Sequence, residues 1–346
     1  MSTPASYRVA IVGAAGLKGR ELKDVLSERN FPAVDLKLLD DDDALGQLDS
    51  VEGETTFIQS IRPGQFAGMD FTFFASEPEF TAGHWKEARR AGNSIIDLSY
   101  ALENEPGVAL RSPWVERELG GERKTDLAAD AVVAAHPAAT ILALLLLRAA
   151  QAAKIERVIA NLFEPVSERG RRGMDELHQQ TVNLLSFQQL PKGIFDAQVA
   201  FNLLPRYGPA AGASLSSVGE RIQSHLRQIT AGRFAPPSLA LLHAPIFHGY
   251  ASSVYIELAG KLAAPDLERA LAGAHVTLAP LEGDAPSNVS VAGEENIVVS
   301  VRPESGTGRA NAFWLWAAAD NLKLSALTAV ECAAALALTR SRGTVQ

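Results

Sequence analysis

Two stretches of the chain carry residue types arranged for chemistry. The first is "AAHPAATILALLLL", residues 134–147, a turn of small residues running into an apolar helix. Such a turn aims free backbone N–H groups at whatever lies in front of it, which suits an anion or an acyl oxygen. Its one polar ring is His136, and it holds no thiol, carboxylate or amide. The second is "GAAGLKGREL", in which Gly13, Gly16 and Gly19 have GxxGxxG spacing. Glycines there let the backbone turn tightly and approach a pyrophosphate, while the following helix supplies N–H groups and a positive dipole. The spacing reads as a dinucleotide-shaped pocket; the plainer alternative is a tight turn packing a helix on a strand. "DDDD", Asp40 to Asp43, follows the second strand. Asp40 is the candidate to accept hydrogen bonds from an adenine ribose, and the other aspartates read as a solvated acidic turn. A carboxylate there disfavours the 2′-phosphate of NADP relative to NAD.

The elements that position these residues follow from periodicity. "YRVAIVG", "AVDLKLLD", "MDFTFFAS", "NSIIDLS" and "AVVAAHP" read as strands, with helical patterns at 19–30 and in "FTAGHWKEARRAG". Strands alternating with helices imply right-handed crossovers and a parallel, doubly wound sheet. After about residue 150 the rhythm changes. "ERVIANLFEPVS", "SVYIELAG", "NIVVSVRPE" and "NAFWLWAAAD" are longer strands with few helices between them, as in a mixed or antiparallel sheet, and "SALTAVECAAALALTR" returns to helix. The fold class expected is α/β, a doubly wound N-terminal sheet followed by an α+β domain.

The chain has 346 residues, and 32 basic against 40 acidic side chains leave a net charge of −8. That balance argues against nucleic acid or an anionic membrane as the main partner. One cysteine, Cys332, excludes an internal disulfide and fits a reducing compartment. A strand-like run begins within seven residues of the start, leaving no room for a signal peptide, and the apolar stretch Ala138 to Leu147 is too short to span a bilayer. The expectation is a cytoplasmic protein.

Long, ordered stretches resemble one family, the aspartate-semialdehyde dehydrogenases. "RVAIVGAAGLKG" and "LSERNFPAVDLKLL" match its opening. "FNLLPRYG" is similar to the family's FNVIPHI, "HAPIFHGYASSVYIEL" to its RVPVxRGHSESVYVE, and "AADNLKLSALTAVE" to its SDNLRKGAALNAVQ. The resemblance implies a Rossmann-type NAD(P)-binding domain of residues 1–134 plus 322–346 and a dimerisation domain of residues 135–321. It also implies a homodimer and, in the family, NADP-dependent formation of the semialdehyde from aspartyl phosphate through a cysteine thioester. The cofactor positions it implies are Gly13, Ala15, Gly16, Leu17, Gly19, Asp40 and Asn321.

Carried over residue by residue, the family's catalytic strings arrive altered. The nucleophile of PNCST falls on Ala139 and the preceding asparagine on Ala138; the histidine of RGHS falls on Tyr250; the phosphate arginine of NSSAFR falls on Glu103. The glutamine of YQxVSGAG falls on Glu164, the glycine after its serine on Glu168, and the arginine opening RVPV on His243. A methyl group forms no thioester, a phenol is a poor base near neutrality, and glutamates repel an acyl phosphate. The expectation is a degenerate site without catalytic residues, in a homodimeric binding or regulatory protein. It would take a small acidic or neutral ligand, with NAD or no cofactor, and could form mixed dimers with an active paralogue. The alternatives are an NAD-dependent oxidoreductase of altered specificity, with Tyr250 and His243 or Glu164 as a proton-transfer pair, or residual semialdehyde dehydrogenase activity. Cys332 reads as a buried structural residue. His136, His243 and His248 fit no metal-ligand pattern, and Ser167 with Arg169 to Arg172 reads as a solvated basic loop.

Overall fold

A computed structural model describes residues 6–41, 48–51, 54–120, 130–280, 284–305 and 311–339. Asp42 and Asp43 lie outside them. The chain divides into two compact units, Met1–Ala135 with Ser325–Gln346, and His136–Leu324.

The first unit is built on β1 (Tyr7–Val12), α1 (Leu17–Glu28), β2 (Ala33–Asp40), the hairpin β3 (Leu48–Val51) and β4 (Glu54–Phe57), then β5 (Gln59–Ser60), β6 (Phe71–Phe74), α2 (Pro78–Arg90), β7 (Ser94–Asp97), β8 (Ala109–Arg111), α3 (Pro113–Glu118) and β9 (Ala131–Ala134). Seven strands form a parallel sheet in the order β5-β2-β1-β6-β7-β9-β8. Val9 to Val12, Phe71 to Phe74 and Ala131 to Ala134 are buried without alternation, as expected of strands covered on both faces. The order runs outward from β1 on both sides, so a crevice opens where β1 and β6 end, the usual ligand position in such sheets.

Glycine is obligatory at two points of the β1–α1 loop. Gly13 has φ +83°, and a Cβ there would stand 2.5 Å from the Ser76 backbone nitrogen. A Cβ on Gly19 would overlap the Gly13 carbonyl oxygen and lie 2.8 Å from Ala14 Cα. The close seating of α1 on its own loop therefore excludes any side chain.

The second unit comprises α4 (Pro137–Ala152), β10 (Ile155–Glu164), α5 (Gly170–Leu185), α6 (Leu215–Ile229), β11 (Ser238–His243), β12 (Tyr250–Leu258), α7 (Ala264–Leu271), β13 (Val276–Leu278), β14 (Ile297–Pro303) and β15 (Ala312–Ala319). Its six strands form a mixed sheet, β11-β10-β12-β15-β14-β13, parallel at β10–β11 and β13–β14 and antiparallel elsewhere. α4 is buried on all sides, which is why its apolar run lacks a polar stripe.

Three features depart from the sequence reading. The segment read as one strand to Pro137 ends at Ala134, because His136 is the N-cap of α4 and Pro137 opens the helix. Between the long strands lie two substantial helices, α5 of 16 residues and α6 of 15. α6 carries an apolar stripe, Leu215, Val218, Ile222, Leu226 and Ile229, whose helical spacing was legible. The stretch in α4 is not the apolar helix of greatest length among the described residues. The final helix, α8 (Asn321–Thr339), is apolar and long enough over Asn321–Leu338 to cross a bilayer, yet 72% of that stretch is buried inside the protein, as in a core helix. Within the first unit, Trp114 donates to Glu331 of α8 at 2.8 Å and Arg117 pairs with it at 2.6 Å.

The glycine geometry makes opposite predictions for two alanine substitutions. Gly19→Ala should destabilise the protein by about 2–3 kcal/mol, since backbone must move. Gly83→Ala, in α2 with open space around it, should stabilise by about 0.5–1 kcal/mol. Urea unfolding of both variants checks the pair.

Candidate functional site

In the first unit the β1–α1 loop is organised by backbone bonds from Gly13 N to Leu39 O at 2.9 Å and Gly16 N to Gly13 O at 3.1 Å. Gly16 is the N-cap of α1 and offers no side chain to cap it. Leu17 opens the helix. Asp40, the last residue of β2, accepts from Ala15 N at 2.7 Å through Oδ2 and from Asp41 N at 2.9 Å through Oδ1. Burial raises its pKa, and those N–H donors work against the rise. Lys18 donates to Leu98 O at 3.3 Å and lies 4.8 Å from the Tyr100 ring centroid. A loop of glycine and alanine, an uncapped helix start and an acidic residue at the end of β2 together fit a dinucleotide. Glu103 is half-buried in the turn after β7.

In the second unit the N-terminus of α4 is capped by its own imidazole. His136 Nδ1 accepts from Ala138 N at 3.3 Å. The His136 backbone N–H donates to Nδ1 of His225, on α6, at 3.0 Å, a partner that sequence reasoning missed. The His136 ring meets Tyr250 edge-on at 5.9 Å. Ala138 and Ala139 are fully buried. Cys332, the only thiol in the chain, lies buried in α8 of the first unit, and burial pushes its pKa strongly up. It is therefore an inert thiol.

Beyond α4 the structure assembles a polar cluster. Glu164 ends β10 fully buried, and its Oε1 meets Arg169 at 2.6 Å. Arg169 closes a 3-10 turn, Val166–Arg169, held by Val166 N to Ile246 O and Ser167 N to Phe247 O, both 3.0 Å. Its guanidinium carbon lies 5.5 Å from the centroid of the Tyr207 ring. Tyr207 is 3.1 Å from His243 Nδ1, and Phe195 packs on both rings at 5.1 Å. His243 ends β11 in direct register with Glu164. Asn321 donates to Glu168 Oε1 at 2.7 Å and to Ser167 Oγ at 3.1 Å, and its Oδ1 accepts from Gly249 N at 2.9 Å. These bonds tie the turn after β10 to the residue that precedes Tyr250.

Three expectations change here. Arg169 does not belong to a solvated basic loop, because it neutralises Glu164 inside the protein. Glu164, expected with Glu103 to repel an acyl phosphate, instead has its charge compensated by Arg169. Tyr250 was read as pairing with His243 or Glu164, but the hydrogen-bond partner of His243 is Tyr207, which stands in a loop that no spacing pattern pointed to. His248 is half-buried. Among the described residues no group of histidine, cysteine or acidic side chains is arranged to hold a metal.

Burial dominates the electrostatics. It raises Glu164 to about 7 despite the attraction of Arg169, with Glu168 adding to the rise. Burial and the Arg169 charge lower His243 to about 4, so its ring is neutral near pH 7. Tyr207 is pushed up by burial and by Glu164, against the pull of Arg169.

The family described as semialdehyde dehydrogenase, NAD binding domain, matches residues 8–122, and semialdehyde dehydrogenase, dimerisation domain, matches residues 146–324. The chain belongs to the semialdehyde dehydrogenase family. A USG-1 protein homolog of Pseudomonas aeruginosa is 33% identical, the match covering 95% of this chain and 97% of that protein. An aspartate-semialdehyde dehydrogenase of Rickettsia conorii is 31% identical, covering 94% and 96%. The solved structure of a probable aspartate-semialdehyde dehydrogenase from Pseudomonas aeruginosa superposes with a TM-score of 0.85 at 30% identity, covering 96% of this chain and 99% of that one.

The two shifted groups give opposite pH signatures. Between the ordinary 4.5 and about 7, folded Glu164 holds more proton than the unfolded chain, so its stability contribution falls as pH rises. Between about 4 and the ordinary 6.5, folded His243 holds less proton, so its contribution rises with pH. The stability of wild type minus His243→Leu should therefore increase by about 3 kcal/mol across the His243 window. That of wild type minus Glu164→Gln should decrease by about 3 kcal/mol across the Glu164 window. Urea unfolding over a pH series checks both slopes.

Proposed function

We propose that this member of the semialdehyde dehydrogenase family forms no acyl-enzyme and acts as a homodimeric binding or regulatory protein on the family scaffold. The observation that carries the reading is the N-terminus of α4. Two buried alanines stand there, and the imidazole of His136 already accepts the Ala138 N–H. By the family resemblance Ala139 takes the nucleophile's place, Tyr250 the base's, and Glu103 and His243 the places of the anion-holding arginines. A thioester needs sulfur, and the methyl group of Ala139 supplies none; a phenol, a poor base near neutrality, stands where the family has its histidine.

The resemblance to proteins named aspartate-semialdehyde dehydrogenase makes aspartyl phosphate and the semialdehyde the substrates to test. Pure protein should show no turnover with either, using NAD or NADP, and no mass gain by intact-protein mass spectrometry after exposure to the acyl phosphate. Ala139→Cys alone should remain inactive, since base and anion clamp are still missing. Turnover or a trapped adduct in the wild type refutes the reading.

A second reading is an oxidoreductase that uses NAD without a covalent step, favoured by Asp40, whose carboxylate lies against the glycine loop and opposes a 2′-phosphate. Calorimetry should then detect NAD binding at least tenfold tighter than NADP, and Asp40→Ala should narrow the difference. No heat at millimolar NAD removes it. Mass measurement of the protein alone, and co-expressed with an active family member, separates a homodimer from a mixed one.

A further inference from the structure

The last turns of α2 carry a positive charge that neither the glycine loop nor the second unit uses. Lys86, Arg89 and Arg90 stand at i, i+3 and i+4 of the helix, so they share one face. With Trp85 and Asp130 they line a cavity of about 420 Å³, open to solvent, a size that admits a small molecule. The chain as a whole carries a net charge of −8, so a local surplus of cations requires a reason. Basic residues in the last turn of a helix complement its dipole. That accounts neither for Lys86, a turn earlier, nor for the hollow.

Two of the cations are held in place before any ligand arrives. Trp85 is buried, and Lys86 Nζ lies 5.5 Å and the Arg89 guanidinium carbon 5.9 Å from its ring centroid, both within cation–π reach. Asp130 grips Arg89 as a fork, with Oδ2 3.1 Å from Nε and Oδ1 2.7 Å from a terminal nitrogen. Long side chains ordered in advance lose less entropy on binding. Lys86 and Arg90 have no ion-pair partner among the described residues. Glu87, in the same turns, accepts from Gly64 N at 3.2 Å and does not line the cavity. Asp130 therefore offsets one of three positive charges, and two are left over.

The cavity is separate from the dinucleotide crevice. Asp130 immediately precedes β9, and its carbonyl accepts from Ile95 N of β7 at 2.8 Å. The cavity thus sits at the N-terminal ends of β7 and β9, whereas the glycine loop leaves the C-terminal end of β1 in the same parallel sheet. We infer that Lys86, Arg89 and Arg90 bind a phosphate dianion, free or as the monoester of a small organic molecule. Two surplus charges match a dianion, guanidinium groups suit phosphate oxygens, and the ammonium adds a point charge. This site does not depend on whether the acyl-transfer chemistry is lost.

A 31P NMR titration of the full chain with inorganic phosphate and with glycerol 3-phosphate tests it, at about pH 8, where both are dianions. Both should bind saturably, and equimolar acetate should displace neither. Tighter binding of the ester assigns an organic phosphate, and equal affinity assigns the free ion. Lys86→Glu and Arg90→Glu, both at exposed positions, should each weaken binding about tenfold or more, with circular dichroism showing the fold intact. Affinity unchanged in both variants puts the phosphate elsewhere, such as the start of α1, and overturns the inference. Displacement by acetate, or no saturable binding of either probe, overturns it as well.

Discussion

The second unit turns on one ion pair, Glu164 with Arg169. A carboxylate at the end of a central strand, with no exposed surface, is tolerated only with a cation in contact. Arg169 reaches it because the chain leaves β10 in a 3-10 turn that hydrogen-bonds back to Ile246 and Phe247. The same guanidinium lies over the Tyr207 ring, and the Tyr207 hydroxyl is hydrogen-bonded to His243. Replacing one partner leaves the other charge buried and alone, which costs more than the pair contributes.

The two helix starts in this chain carry the same physics to different ends. α1 begins at a glycine without a side-chain cap, on a loop where Gly13 and Gly19 exclude a Cβ, so its N–H groups remain available to a ligand's phosphates. α4 begins at a histidine whose ring turns back on the first-turn N–H. An N-terminus capped from within has less left to offer an acyl oxygen. Ala138 and Ala139 then fill space as methyl groups in a tightly packed start, and the buried helix behind them holds the turn in place.

Much of the fold was legible. Uninterrupted apolar strands alternating with amphipathic helices permit only a parallel sheet covered on both faces, and Val9 to Val12 and Phe71 to Phe74 behave accordingly. The helices α5 and α6 were underread because long strands around them dominated the pattern, although the stripe of α6 had helical spacing. The end of β9 was overread, since nothing local distinguishes Ala135 from the preceding strand until the His136 cap is seen.

By itself, the sequence determined the presence of a glycine loop between the first strand and first helix, the absence of a thiol outside Cys332, and the residue types at the family's catalytic strings. These are covalent facts or short-range periodicities, and no folding changes them. Only tertiary structure decided that Arg169 is an internal counter-ion, that Tyr207 and Phe195 enclose His243, and that His225 meets the His136 backbone. Such partners are separated by up to 89 residues, and strand register together with loop return brings them together. Burial then sets their protonation, because desolvation depends on everything packed around a group and leaves no mark in its own segment.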